Sequence, residues 1–310
     1  MKTKHLIIVS CLSLFSFVAC ETTEKIDDFP LRPSQLVVNC SFSEGSAWEF
    51  QVSKSLSVLD NAKLKLIDNA TVKLFKGDLL IETLTEQNLN GWYSTENNLP
   101  ETGQEYSIKV SSPDFEKVLY AKEITPQQIP ISDVSVLIRD SSFHEWVDQR
   151  DRIIYGGNVE GSFNILFTDP ANTENYYALS VFYYDSVYSE YEDSLVSWVE
   201  KRQLRISSDD SAIENDEDNS TYLLMRDLIF DGQDYQVKIN FSDWSARKGR
   251  EYYIELTSFQ RAGYFYKKSI DDYYKAVSDP FAEPVQIYSN IENGYGIFSG
   301  YSTAVYAVLF

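Results

Sequence analysis

Histidine, cysteine and methionine are almost missing from these 310 residues, and each scarcity removes a class of chemistry. His5 and His144 are the only histidines, Met1 and Met225 the only methionines. His5 falls in an N-terminal segment read below as cleaved, so imidazole work would rest on His144 alone. A zinc, copper or haem site made of His, Cys and Met would find one candidate of each at most, and a bis-histidine haem carrier is excluded within one chain. A Ser-His-Asp or Cys-His apparatus would have to run through His144. Its surroundings, SSFHEWVDQRD, carry no nucleophile-elbow pattern, and it reads as a surface or loop residue. No cofactor is expected. Cysteines stand at 11, 20 and 40, and only Cys40 falls in the folded part, so no intramolecular disulfide can form. Cys40 sits in the apolar strand pattern LVVNCSF and reads as a small core residue. Basic charge is short as well: 27 Lys+Arg stand against 47 Asp+Glu, a formal net charge of −20. Such a surface repels phosphate backbones and anionic lipid heads, which argues against nucleic acid as a partner.

Long apolar runs are missing too. Residues 1–20 read MKTKHLIIVSCLSLFSFVAC: Lys2 and Lys4 are positive, residues 6–18 are apolar, and small residues precede Cys20. The apolar part is shorter than the ~20 residues a membrane-spanning helix needs. The pattern is that of a bacterial signal peptide over 1–19 ending in a lipobox, with Cys20 acylated after cleavage. Several acyl chains make a lasting anchor where one would not. Cleavage leaves 310 − 19 = 291 residues with a net charge of 25 − 47 = −22, and membrane contact then comes from the lipid rather than from basic patches. Residues 20–34 are polar and acidic and read as a lipidated tether. Glu24, Asp27 and Asp28 behind that cysteine resemble the acidic export signal of Bacteroidetes surface lipoproteins, a resemblance that implies the outer face of the outer membrane.

What is plentiful is aromatic: 22 Tyr, 18 Phe and 5 Trp. These residues suit pleated, half-buried surfaces, and the chain reads as all-β. Over 35–125, seven short alternating runs are separated by Gly, Asn and Pro breakers, as expected of an immunoglobulin-like or transthyretin-like sandwich. PQQIPISDV reads as a hinge, and 126–310 as a larger antiparallel β domain, sandwich or barrel. Its expected strands include RQLRISS, YLLMRDLIF, VQIYSNI, YGIFSGYS and TAVYAVLF. One stretch changes period. Over 261–278, Tyr266, Ile270, Tyr273, Tyr274 and Val277 share a helical face, predicting a helix whose aromatic side packs on the sheet.

Acidic groups are the abundant chemistry, but abundance singles out no catalytic pair for glycoside hydrolysis. Asp216, Glu217, Asp218 and Asn219 lack calcium-loop spacing, and the group Asp231, Gly232 and Asp234 reads more simply as a hairpin turn. The tyrosines are more suggestive. Adjacent strand residues face opposite ways, so Tyr183 and Tyr184 cannot both fill a one-sided core. Tyr177, Tyr183, Tyr184 and Tyr188 are the candidate ligand-binding rings, unless the helix or a loop covers them.

The run DPFAEPVQIYSNIENGYGIFSGYS at 279–302 resembles the signature of the Bacteroidetes lipoprotein family catalogued as domain of unknown function 4249. FTDPANTENYYAL at 167–179 and RDLIFDGQ at 226–233 are further marks, and the resemblance spans essentially the whole mature chain. It implies a surface or periplasm-facing lipoprotein, often encoded near TonB-dependent receptors, with no established catalytic residues. In the signature, Asn290, Asn293, Gly294, Gly296 and Gly300 are expected to form a tight turn between strands. The expected function is that of a non-enzymatic accessory lipoprotein beside such a receptor, capturing a peptide, glycan or chelated metal. A structural or adhesive envelope protein, or a two-carboxylate hydrolase, are the alternatives.

Overall fold

A sheet of nine strands runs under both halves of the molecule, and the first and last strands of the chain meet in its middle. The structure, a computed structural model, describes residues 33–57, 63–85, 90–95, 97–147, 153–191, 194–215, 220–279 and 281–309. The expected signal peptide, the expected lipidation at Cys20 and nearly all of the expected tether lie outside these residues.

The long sheet joins β12 (Ser194–Gln203), β11 (Tyr176–Tyr191), β16 (Glu251–Phe259), β17 (Tyr295–Leu309), β1 (Leu36–Phe42), β2 (Glu49–Lys54) and β3 (Lys65–Leu66) in that order. Against it β14 (Leu223–Arg226) pairs β11, and β6 (Trp92–Ser94) pairs β2. One four-stranded sheet has β5 (Leu79–Leu84), β4 (Thr71–Lys76), β7 (Glu105–Ser111) and β8 (Leu119–Ile124). The other has β13 (Ile206–Ser207), β15 (Asp234–Asp243), β10 (Ile153–Thr168) and β9 (Ile131–Val147). Among the described residues no sheet closes into a barrel. Among the described residues the fold is an all-β sandwich with one helix, α1 (Arg261–Ser278).

Strict alternation builds two cores. Leu36, Val38, Cys40 and Phe42 are buried along β1, and Tyr106, Ile108 and Val110 along β7; they share one core with Trp48, Phe50, Ile291 and Phe298. Val237, Ile239 and Phe241 of β15 face Tyr252, Ile254 and Leu256 of β16 in the other, which also takes Val308. Cys40 is thus a core residue, and burial pushes its thiol pKa far up, away from reactivity.

β17 ties the cores together. Residues Tyr295–Gly300 pair β1 in parallel, and Tyr301–Leu309 pair β16 antiparallel, so Phe298 and Val308 serve different cores from one strand. The expected strands YGIFSGYS and TAVYAVLF are this single element. Gly296 and Gly300 lie inside it rather than in a turn. Gly296 adopts φ 113° with the Val38 carbonyl where a Cβ would point, so no other residue fits. The turn is made earlier, at Asn293 (φ 66°).

Three local expectations differ. VQIYSNI is no strand: its Tyr288 N–H donates to the Ser269 side chain, and it reaches the Phe298 backbone through the side chain of Asn290 rather than through a backbone ladder. RQLRISS breaks at Leu204, where the chain leaves β12 in one sheet for β13 in the other. YLLMRDLIF stops at Arg226, because Phe230 N–H bonds the Asp227 carbonyl (2.8 Å) and Gln233 N–H the Phe230 carbonyl (3.0 Å), making successive turns.

The helix forms over the expected residues but docks differently. Ala262, Gly263 and Tyr264 are its buried residues, while Tyr273, Tyr274 and Val277 are exposed. Tyr264 packs on Tyr176 (5.1 Å between ring centroids) beside Ala178 and Leu224. A side chain at Gly263 would collide with Ser299, so the first turn lies tight on β17.

Candidate functional site

Of the four candidate tyrosines, the structure buries Tyr177 and Tyr183 and exposes Tyr184. Along β11, Tyr177, Leu179, Val181 and Tyr183 face the second core, while Tyr176, Ala178 and Phe182 are buried on the opposite face. Tyr177 is fully packed, its hydroxyl donating to Asp169 Oδ1 at 2.5 Å. Burial and that carboxylate push its pKa far up. Tyr183 is also core, with the Arg250 guanidinium over its ring at 4.0 Å. Tyr184 is the exposed one, at 51%, packed edge-on against Phe182 and Tyr253. The side chain of Tyr188 lies outside the described residues. Alternation thus sends Tyr183 in and Tyr184 out, whereas Tyr176 and Tyr177 are both buried because α1 covers the outer face.

A groove of about 680 Å³ opens instead beside that helix. Phe265, Lys268, Ser269 and Asp272 of α1 form one wall, and Gln286–Ser289 with Ile291, Gly294 and Tyr295 the other. The extended wall is held by Ser269, whose Oγ accepts the Tyr288 N–H at 2.8 Å and donates to the Tyr266 carbonyl at 2.8 Å. Phe265 and Tyr288 stand 6.1 Å apart, centroid to centroid. Lys268 is fixed by Glu214 (2.5 Å), which Arg226 also holds. Although burial alone would raise its pKa, Lys268 and Arg226 keep Glu214 below the usual carboxylate range. Rings for stacking, an anchored cation and free polar groups thus line one open cleft.

A second arrangement joins two distant loops. Asp169, Asp227 and Asp231 bring their carboxylates within 4.8 Å of one another. Each loop's backbone holds the other's acids. Gly232 N–H donates to Asp169 Oδ2 (2.9 Å), Asn172 N–H to Asp231 Oδ1 (2.9 Å), and Asn175 N–H to Asp227 Oδ2 (2.8 Å). Burial first, and the neighbouring carboxylates with it, raise the pKa of both Asp169 and Asp227. Three oxygen donors so placed would supply part of the oxygen shell of a hard cation, with Asp231 open to solvent. Of the acids weighed in sequence, Asp231 belongs here, while Asp234 accepts from Thr168 instead (2.6 Å). Asp216, Glu217, Asp218 and Asn219 lie outside the described residues. His144 is exposed on β9.

A family model described as a domain of unknown function (DUF4249) matches residues 21–307. The chain belongs to this family. Runs that carry the resemblance contribute to these arrangements: residues within 286–295 line the groove, and Asp169 meets Asp227 and Asp231 in the cluster. No curated protein matches the chain. Among solved structures, the three N-terminal domains of the bacteriophage RB49 highly immunogenic outer capsid protein align at 7% identity. That alignment covers 74% of this chain and 93% of that one with a TM-score of 0.17, too low to carry any argument.

Phe265, Lys268, Tyr288 and Tyr295 escaped sequence reasoning because the groove is tertiary. The available signal was the signature run itself, read as a turn when it is also a wall.

Proposed function

We propose that this protein is a lipid-anchored, non-enzymatic binding protein of the bacterial outer-membrane surface. In this reading it captures a nutrient, such as a peptide, glycan or chelated metal, beside a TonB-dependent receptor. The carrying observation is the groove between α1 and the 286–295 segment, where Phe265, Tyr288 and Tyr295 meet Lys268, Asp272 and Gln286. Its volume lies within the ~300–1,000 Å³ of typical ligand pockets. Stacking rings with flanking polar groups suit sugars and peptides rather than bond-breaking chemistry. The address comes from the lipobox pattern ending at Cys20, and the receptor from the surroundings usual for the family resembled.

Glycan and peptide arrays probed with the mature chain test the binding role. Hits that Tyr288→Ala and Tyr295→Ala abolish support it; arrays without hits favour a structural envelope protein. Cys20→Ser should release the protein from the membrane fraction, and an unchanged fractionation rules out the anchor. A receptor should co-purify from native membranes.

A further inference from the structure

We propose a second binding site, separate from the α1 groove, for a ligand that presents a carboxylate group. It is the cavity of about 560 Å³ between the β9–β10 hairpin and the loop joining β15 to β16, lined by Phe143, His144, Glu145, Gly156, Arg247 and Lys248. Acids outnumber bases 47 to 27 in this chain, so a lining chosen without regard to charge would be acidic. Here Arg247, Lys248 and His144 face a single carboxylate among the described residues, Glu145.

The backbone makes the room. His144 pairs directly with Gly156 across the hairpin, so no side chain stands opposite the imidazole. The other wall is held rigid from beneath. Asp243, almost fully buried, accepts from Ser245 N–H (2.8 Å), Ser245 Oγ (2.9 Å), Arg250 Nη1 (2.8 Å) and Tyr252 Oη (2.7 Å). Arg250 is in turn stacked on Tyr183. A loop pinned at both ends presents Arg247 and Lys248 from a backbone already ordered, so only their side chains lose freedom on binding.

The charges of this region are unevenly matched. Asp185 is approached by Arg247 (3.3 Å), Arg250 (3.8 Å) and Arg202 (3.9 Å). Arg250 has Asp243 and Arg202 has Glu200 (2.8 Å) as closer partners, so among the described residues Asp185 is left to Arg247. Lys248 pairs with no carboxylate among the described residues. A planar guanidinium beside a mobile ammonium suits a carboxylate, and Phe143, 46% exposed, offers apolar surface to whatever carries it.

Titration calorimetry of the full-length chain with triglutamate and with digalacturonate, against trilysine as control, tests the site and separates peptide from sugar as the source of the carboxylate. Saturable binding of either acid, weakened at least about tenfold by Arg247→Gln with Lys248→Gln, supports the proposal. Glu145→Gln should tighten the same binding about threefold, a direction that damage to the fold would not produce. Saturation by neither acid, equal binding of trilysine, or affinity unchanged in the double variant would overturn it.

Discussion

The side-chain amide of Asn290 stands in for a missing strand beside Phe298. Its Nδ2 donates to the Phe298 carbonyl at 2.7 Å, and its Oδ1 accepts the Phe298 N–H at 3.0 Å. β17 has β1 on one side here, and Asn290 completes the other. Phe298 meanwhile sends its ring into the first core against Phe42 (4.8 Å). One asparagine therefore holds the signature segment against the strand that joins the two cores.

Asn290→Leu keeps the volume and removes both bonds, leaving a buried N–H and carbonyl unpaired. The expected loss is about 1–3 kcal/mol in urea denaturation. Asn290→Gln should not restore it, since the longer chain cannot reach both atoms at once. A stability within about 0.5 kcal/mol of the parent would show the pairing to be incidental.

The exposed and buried tyrosines of α1 should part company. Tyr264→Ala removes a fully buried ring that meets Tyr176 and Leu224, and a loss of about 3 kcal/mol or more is expected. Tyr274→Ala, at a position 68% exposed, should stay within about 0.5 kcal/mol. Equal effects in thermal melts would mean that the helix packs by its tyrosine stripe after all.

These contrasts mark what local pattern conveys. Period-two burial of Leu36, Val38, Cys40 and Phe42 is written in the residues of β1 themselves, and so is the helical period of Arg261–Ser278. The docked face of α1 is not. Its apolar stripe is real, but burial goes to Ala262, Gly263 and Tyr264, because the bare Cα of Gly263 lets the first turn lie against Ser299 of β17 and seats the Tyr264 ring on Tyr176. The parallel meeting of Val38 with Gly296 was equally hidden, since it joins the two ends of the chain and no local period encodes it. Of the aspartate cluster only Asp231 drew notice, because its partners lie on a loop some sixty residues earlier and on a turn that read as strand.

Arg250 should be the costliest charged residue to remove. It and Asp243 are both buried and 2.8 Å apart. Arg250→Met strands Asp243 without its cation, and a loss of about 3–5 kcal/mol is expected by urea denaturation. Arg250→Lys keeps the charge but loses the planar fork and the stacking on Tyr183, so it should fall between the two. Parental stability in Arg250→Met would mean that water reaches Asp243 freely.

The aspartate cluster makes a prediction about pH whose direction is fixed. Asp169 and Asp227 have folded-state pKa values above the ordinary carboxylate value, through burial first and then through mutual repulsion that includes Asp231. A carboxyl raised on folding favours the folded state most when protonated. That contribution is fully present at pH below the unfolded value, near 4, and is lost as pH rises through the folded one. At neutral pH the three charges oppose folding. Asp231→Asn removes one charge at the exposed corner while keeping an oxygen for the Asn172 N–H, so the melting temperature in chelator-treated buffer should rise at pH 7. The gain should shrink towards pH 4, where the remaining acids take up protons in either protein. A melting temperature lowered by Asp231→Asn at pH 7 would reverse the sign, and would mean that something other than repulsion governs these carboxylates.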